Sequence, residues 1–424
     1  MLSLFQMLAI LLTATAIFAW LNHRLVRLPE SIGVLVLGLA TSLALVVLRN
    51  LFPVAGFDTL LTRSLRQIDF YDTVMHGLLG FLLFASAINV DLRRLRGRLP
   101  VVGGLATFGT AISTVVIAVA LWWGTDLIGM PIGLAWAFVF GALIAPTDPV
   151  AVLAALRTVD VPENLETDLT GETLFNDGIA VVLFAVTVQF AGSGSDPGPD
   201  AIVGMLLLEA VGGALLGLAT GYLAYRALHA IDDYATEVLI SIALVSATYV
   251  TADALHMSGP ISVVIAGVLI GNRGKDRAMS EVTRRYVFGF WRLVDEILNS
   301  VLFMLVGLEL AVLPWDTGLA LIGLIAVPAV LVGRFLSVSA SVLVLSRWKP
   351  FAPGPIPVMT WGGVRGGVSV ALVLSLGDQA QHGPLLAATY VVVLFSILVQ
   401  GLTLGQVIRW ALPSQDDRAG QRGA

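Results

Sequence analysis

Glu172, Thr173, Asn176 and Asp177 open a stretch, Gly171 to Gly178, that then runs on as an apolar segment through Val181, Leu183 and Val186. On a helix, Thr173, Asn176 and Asp177 share one face, and Thr173 and Asp177 stand one i,i+4 step apart. Both offer oxygen. A third oxygen source lies upstream, in Ala145-Pro-Thr-Asp-Pro149. Pro146 and Pro149 each remove a backbone donor, and Asp148 before Pro149 makes a helix cap followed by a good first-turn residue. One helix should therefore stop near Ala145 and another start after Asp148, leaving the carbonyls of Ala145, Pro146 and Thr147 without helix partners. The Thr147 carbonyl with Thr173 and Asp177 would form an oxygen cage for a hard cation. No histidine accompanies these residues and the chain has no cysteine, so zinc and copper fit poorly. A divalent ion would want more carboxylates, which leaves a monovalent ion as the better match.

A carboxylate taken out of water resists carrying its charge alone. It is neutralised by a proton or by a cation, and the two compete for the same oxygen. That competition is proton-coupled exchange in its simplest form. The blander reading of Asp177 is an acid capping the N-terminus of its helix.

These residues need elements to hold them. The chain has 424 residues, 57% of them hydrophobic and 12% charged, against about 25% charged in soluble domains. It reads as an all-α polytopic membrane protein. Thirteen spans are expected, near 3–22, 31–51, 73–90, 100–123, 131–156, 170–191, 201–226, 234–255, 259–272, 288–311, 317–346, 357–377 and 385–410. The first lacks a basic leader and a cleavage site, so it reads as a retained helix. Taken alternately, one set of connections carries eighteen Lys and Arg residues and the other only Arg49, Arg63 and Arg66. The positive-inside rule then puts the N-terminus outside and the C-terminus, with the short polar tail 411–424, in the cytoplasm.

The fifth span is broken at Pro146–Pro149, and the twelfth by the glycines around Arg365 in Trp361-Gly-Gly-Val-Arg-Gly-Gly367. Unpaired backbone at membrane depth survives only inside protein or beside a cavity. Spans 5 and 12 are seven apart and run in opposite directions, the pattern of inverted repeats, spans 1–6 and 8–13, with two discontinuous helices crossing at a midplane site. Acids inside spans are functional candidates. Glu172 and Asp148 need counter-charges, which Arg334 in span 11 and Arg365 in span 12 can supply, in either pairing. Glu209, Asp295, Glu296 and Glu309 read as residues near span ends, at interfaces or facing water.

The strings Ala145-Pro-Thr-Asp-Pro-Val-Ala-Val152, Gly171-Glu-Thr-Leu-Phe-Asn-Asp-Gly178, Gly259-Pro-Ile-Ser-Val-Val-Ile-Ala-Gly-Val-Leu-Ile-Gly-Asn272 and Trp361-Gly-Gly-Val-Arg-Gly-Gly-Val-Ser-Val-Ala-Leu372 resemble the sodium/proton exchanger family of the monovalent cation:proton antiporter superfamily. The likeness covers nearly the whole chain in order and is closest to the prokaryotic Na+/H+ antiporters. It implies that Asp177 carries cation and proton alternately, and that Asn176 marks an electroneutral one-for-one exchanger. It implies an unwound crossing at Thr147 and Asp148, Na+ near Asp177, the Thr173 hydroxyl and the Thr147 carbonyl, and a structural ion pair of Glu172 with Arg365 or Arg334. A homodimer is implied too, in which a core of spans 4–6 (about 100–191) and 11–13 (about 317–410) moves against a dimerisation part, spans 1–3 and 7–10. Many prokaryotic relatives carry a glutamate on the third span; here the matching position is Ala85.

The function expected is exchange of Na+ or Li+ for H+ by alternating access in the inner membrane, with a K+/H+ antiporter of the same fold as the alternative. A channel finds no repeated filter-like carbonyl loop. An intramembrane enzyme finds no H-E-x-x-H or G-x-S-x-G motif. The expected partners are monovalent cations, protons, lipid and a second copy of the chain, with no cofactor and no nucleic acid.

Overall fold

The computed structural model describes residues 4–51, 73–148, 152, 156, 159, 161–193, 204–205, 207–309, 317–351, 354–377 and 381–412. Within these residues the chain is built from helices and turns, with no strand. Helix α1 is Leu4–Leu21, α2 Glu30–Leu51, α3 Thr73–Ala87, α4 Leu92–Leu127, α5 Leu134–Leu143, α6 Glu163–Ser193 and α7 Leu208–His229. Then come α8 Tyr234–Ala254, α9 Gly259–Gly274, α10 Glu281–Glu309, α11 Thr317–Leu345, α12 Pro355–Trp361, α13 Gly367–Leu374 and α14 His382–Ala411. Among the described residues, eight helices are long and apolar enough to cross a membrane. Helix α10 has ample length at 29 residues but carries Arg284, Arg285, Arg292, Asp295 and Glu296 along it, too many charges for an apolar window.

Three helix starts differ from the sequence reading, those of α4, α6 and α10, the last at Glu281 and not near 288. Helix α4 begins at Leu92 and not near 100, because Asp91 caps it, accepting from the backbone amides of Arg93 (2.8 Å) and Arg94 (3.4 Å). Helix α6 begins at Glu163 and not near 170. Both added segments are polar, and hydropathy sees only the part of a helix that suits lipid. They are joined by a buried ion pair, in which Arg98 on α4 donates through Nε (2.8 Å) and Nη2 to the Asp168 carboxylate on α6. Caps fix other starts as well. Asp233 accepts from the Thr236 hydroxyl (2.6 Å) and amide (2.9 Å) ahead of α8. Those bonds, the hydroxyl's first, hold its carboxyl below the ordinary range.

The breaks fall where proline and glycine put them. Helix α5 ends at Leu143, and after a turn at Ile144 residues 145–148 have no regular structure; Pro149 and the expected helix restart lie outside the described residues. Helix α12 ends at Trp361 and α13 starts at Gly367. The links at 194–200 and 310–316 and the tail beyond 412 also lie outside the description.

The helices pack in two groups. Helix α11 lies against α4 and α14, α5 against α4 and α6, and α13 against α14. In the other group α2 packs on α10, while α3, α7 and α8 pack on α9. Gly38 and Gly307 bring α2 and α10 together so closely that a methyl on Gly307 would meet the Leu35 carbonyl at 2.9 Å, the small-residue contact by which membrane helices approach. The groups meet where α6 touches α9 and where α10 touches α13.

Candidate functional site

The two breaks touch each other. The Asp148 amide donates to the Val364 carbonyl at 2.7 Å, so the unwound ends of α5 and α12 are tied by one backbone bond. Arg365 reaches back across this crossing. Its Nη1 donates to the Ala145 carbonyl and, at 3.2 Å, to that of Pro146. A cation over the last carbonyls of a helix satisfies orphan acceptors and opposes the negative end of the helix dipole. The other loose end is treated similarly: Arg334 Nε donates to the Met359 carbonyl at 3.1 Å, and Gln400 Nε2 to that of Trp361 at 3.2 Å. The Arg365 amide is held by the Ser396 hydroxyl at 2.9 Å, and that hydroxyl donates to Gln400 Oε1 at 2.5 Å.

Helix α6 runs past the crossing, and Asp177 stands fourteen residues after its first residue, Glu163. Asp177 is 4% exposed, and its Oδ1 has no hydrogen-bond partner among the described residues. The Thr147 amide bonds its carboxyl, and Asp148 and Arg365 are its charged neighbours. Behind it runs a chain of donors. The Asn176 amide donates to the Thr147 hydroxyl (2.8 Å), which donates to the Thr173 hydroxyl (3.3 Å), which donates to the Leu169 carbonyl (2.9 Å). Thr147, Asp148 and Asp177 line a cavity of about 50 Å³ whose apolar wall includes Leu79, Leu82, Leu83 and Leu302. A site for one water needs roughly 10–15 Å³, so the space suits an alkali cation that keeps part of its hydration. Polar groups in such a poorly screened space interact strongly.

A family model for the transmembrane sodium/hydrogen exchanger matches residues 10–410. The chain is 41% identical over 409 residues to the Na(+)/H(+) antiporter NhaP of Pseudomonas aeruginosa, spanning 95% of this chain and 96% of that one. It is 34% identical over 415 residues to the Na(+)/H(+) antiporter NhaH of Halobacillus dabanensis, spanning 94% and 96%. The protein belongs to the sodium/hydrogen exchanger family. Its fold matches the sodium proton antiporter MjNhaP1 of Methanocaldococcus jannaschii with a TM-score of 0.73, at 17% identity, over 96% of this chain and 98% of that one. That likeness speaks for the fold.

In this exchanger the eight residues singled out from sequence gather around one crossing, with one alternative resolved and two expectations altered. First, Glu172 pairs with Arg334, whose Nη1 and Nη2 reach its two carboxylate oxygens, the second at 2.8 Å. Arg365 serves the backbone and makes no ion pair with Glu172 among the described residues. Second, the carbonyls of Ala145 and Pro146, expected to be open, are taken by Arg365, because a guanidinium fills two acceptors at once. Third, Thr173 and Asn176 stand behind the cavity wall and reach it through the Thr147 hydroxyl. The capping alternative for Asp177 fails, since the residue is mid-helix.

Sequence reasoning missed three residues of the cavity: Ser86 on α3, and Asp295 and Asn299 on α10. Asp295 had been read as a bland acid. The available signal was its i,i+4 spacing to Asn299, which puts two polar groups on one face of an otherwise buried helix end. The Arg98–Asp168 pair was missed because Arg98 read as a loop charge. Ala85 is buried among Phe84, Ile88, Val263 and Trp291, in an apolar cluster.

Proposed function

We propose that the protein exchanges Na+ or Li+ for H+ one for one across the inner membrane, with Asp177 as the group that carries either ion. One observation carries the reading: a buried carboxylate with an oxygen that no described residue satisfies, on a cavity beside an unwound backbone crossing. Such an acid is stable when it holds a proton or a cation. The 41% identity to a Na(+)/H(+) antiporter supports the same reading. The Thr147 oxygens and Asp148 would complete the cation's surroundings, with Asn176 and Thr173 holding Thr147 in place from behind. Arg365 and the Glu172–Arg334 pair would hold the crossing rigid as it moves.

On this proposal α4–α6 and α11–α14 form the moving core, the other helices form the scaffold that dimerises, and the C-terminus is cytoplasmic as the Lys and Arg distribution suggests. The protein would need no cofactor.

The test uses purified protein in vesicles with an imposed pH gradient. Addition of Na+ or Li+ should collapse the gradient, and collapsing the membrane potential with an ionophore should leave the rate unchanged. Asp177→Asn should abolish the response while the protein keeps its thermal midpoint. A response confined to K+ would move the reading to a K+/H+ exchanger. An Asp177→Asn variant that still exchanges would remove the site.

A further inference from the structure

Asp177 and Asp148 share their cavity with an acid from the other helix group. Asp295 on α10 lines the same 50 Å³ space as the Pro146–Asp148 break. One turn on, Asn299 is 6% exposed, and its Nδ2 donates to the Asp295 carbonyl at 2.8 Å and to Asp295 Oδ1 at 3.0 Å. Those two hydrogen bonds tie the asparagine amide to the aspartate, and both residues line the cavity. Ser86, one wall away on α3, adds a hydroxyl.

The position of Asp295 along the path matters. The α3–α4 link with the start of α4, residues 88–93, the end of α9 and the first half of α10, residues 281–293, line a much wider cavity of about 1650 Å³. Its charged lining is mainly basic: Arg93, Lys275, Arg284, Arg285 and Arg292 against Asp91 and Glu281. A basic mouth repels cations. A cation that crosses it then meets a narrow space where it sheds water and needs carboxylate oxygens in exchange. Asp295 stands between the two, three residues past Arg292.

We infer that Asp295, oriented by Asn299, is a second cation ligand of the transport path, which receives Na+ or Li+ from the basic vestibule and passes it to Asp177. This rests on the exchange reading above. Asp295 belongs to the scaffold group and Asp177 to the group that contains both breaks. A cation between them would be shared by two bodies, and relative displacement of those bodies would take one ligand away. Asp295 therefore governs how readily the inward cavity fills, and Asp177 governs which ion is carried through.

The test measures cation-driven gradient collapse in vesicles over a range of Na+ and Li+ concentrations, for wild type, Asp295→Asn, Asp295→Glu and Asn299→Ala. Wild-type exchange that depends on Asp177 secures the underlying reading first; its absence would overturn that reading, and the variants then decide the inference separately. Asp295→Asn should raise the apparent KM for both cations roughly tenfold, with a smaller change in maximal rate, the size expected when one charged ligand is lost near a cation. Asp295→Glu should recover most of that loss, and Asn299→Ala should raise KM by a few-fold. Cation binding without transport gives a second readout: Li+ added to detergent-solubilised protein should raise the thermal midpoint of wild type more than that of Asp295→Asn. An unchanged KM in Asp295→Asn, or a fall in maximal rate with KM unmoved, overturns the proposal. So does an Asp295→Glu variant no better than Asp295→Asn.

Discussion

Arg334 reaches both carboxylate oxygens of Glu172, across 162 residues of sequence and between two helices of one group. Both side chains are nearly inaccessible to water. Glu172 stands five residues before Asp177 on α6, so this pair fixes the height and rotation of the helix that carries the transport acid. A buried pair adds little net stability over apolar residues, yet removing one partner strands a charge and costs about 3–5 kcal/mol. Glu172→Gln or Arg334→Met alone should therefore lower the thermal midpoint sharply. Glu172→Leu combined with Arg334→Met should recover more than half of that loss while exchange stays impaired, because the Met359 carbonyl still lacks its donor. A double variant as unstable as the worse single one would mean that the two residues act independently.

Arg365 should behave differently, since its partners are backbone carbonyls. Arg365→Ala strands the Ala145 and Pro146 carbonyls, at about 1–3 kcal/mol for each buried acceptor left unmade, and takes a cation away from Asp177 and Asp148. Folded yield and exchange should both fall. Arg365→Lys keeps the charge but offers no planar fork to two acceptors, so it should restore yield more than rate. Equal yields for wild type and Arg365→Ala, measured by size-exclusion chromatography, would show that the crossing holds without it.

Gly366 is glycine for a steric reason. A methyl built there would overlap Asp148 Oδ2 and come within 2.8 Å of Asp148 Cβ. Gly366→Ala should push the Asp148 carboxylate out of the cavity wall and slow exchange by roughly tenfold or more, as small displacements at a reacting centre do. Gly383, around which a methyl meets nothing within 4 Å, supplies the control, and Gly383→Ala should exchange at the wild-type rate. Similar rates for the two variants in the vesicle assay would refute the steric account.

The crossing was legible in the sequence because proline and glycine act locally. Pro146 and the cluster of glycines at 362, 363, 366 and 367 interrupt their helices, whereas the single prolines Pro100 in α4 and Pro328 in α11 do not; the end of α5 and the gap between α12 and α13 fall close to where they were expected. The i,i+4 rule likewise put Thr173 and Asp177 on one face before any packing was known. Pairings over long separations were not legible. Two arginines could serve Glu172, and only the approach of α11 to α6 decides for Arg334. Arg98 looked like one of many cytoplasmic charges, since nothing near residue 98 announces Asp168 seventy residues away. Asp295 failed for a related reason: whether a half-buried acid faces lipid headgroups, water or a cavity depends on how α10 is rotated against α3 and α13. Helix starts were misplaced where polar turns continue an apolar helix, as at Glu163.

The open oxygen of Asp177 predicts how apparent affinity depends on pH. Proton and cation compete for one carboxylate, so each excludes the other. As pH falls, the protonated fraction grows and the apparent KM for Na+ must rise; as pH rises, KM must level off once the carboxylate is ionised before the cation arrives. For one proton exchanged against one Na+, the rise in the acidic limb approaches about tenfold per pH unit, the slope of a single competing site. Two coupled carboxylates releasing two protons would give a steeper limb. The maximal rate at saturating Na+ should change much less than KM over the same interval. Initial rates of gradient collapse, taken at several Na+ concentrations for each pH, measure the slope directly. A KM independent of pH, with only the maximal rate responding, would place the proton on some group other than the one that holds the cation.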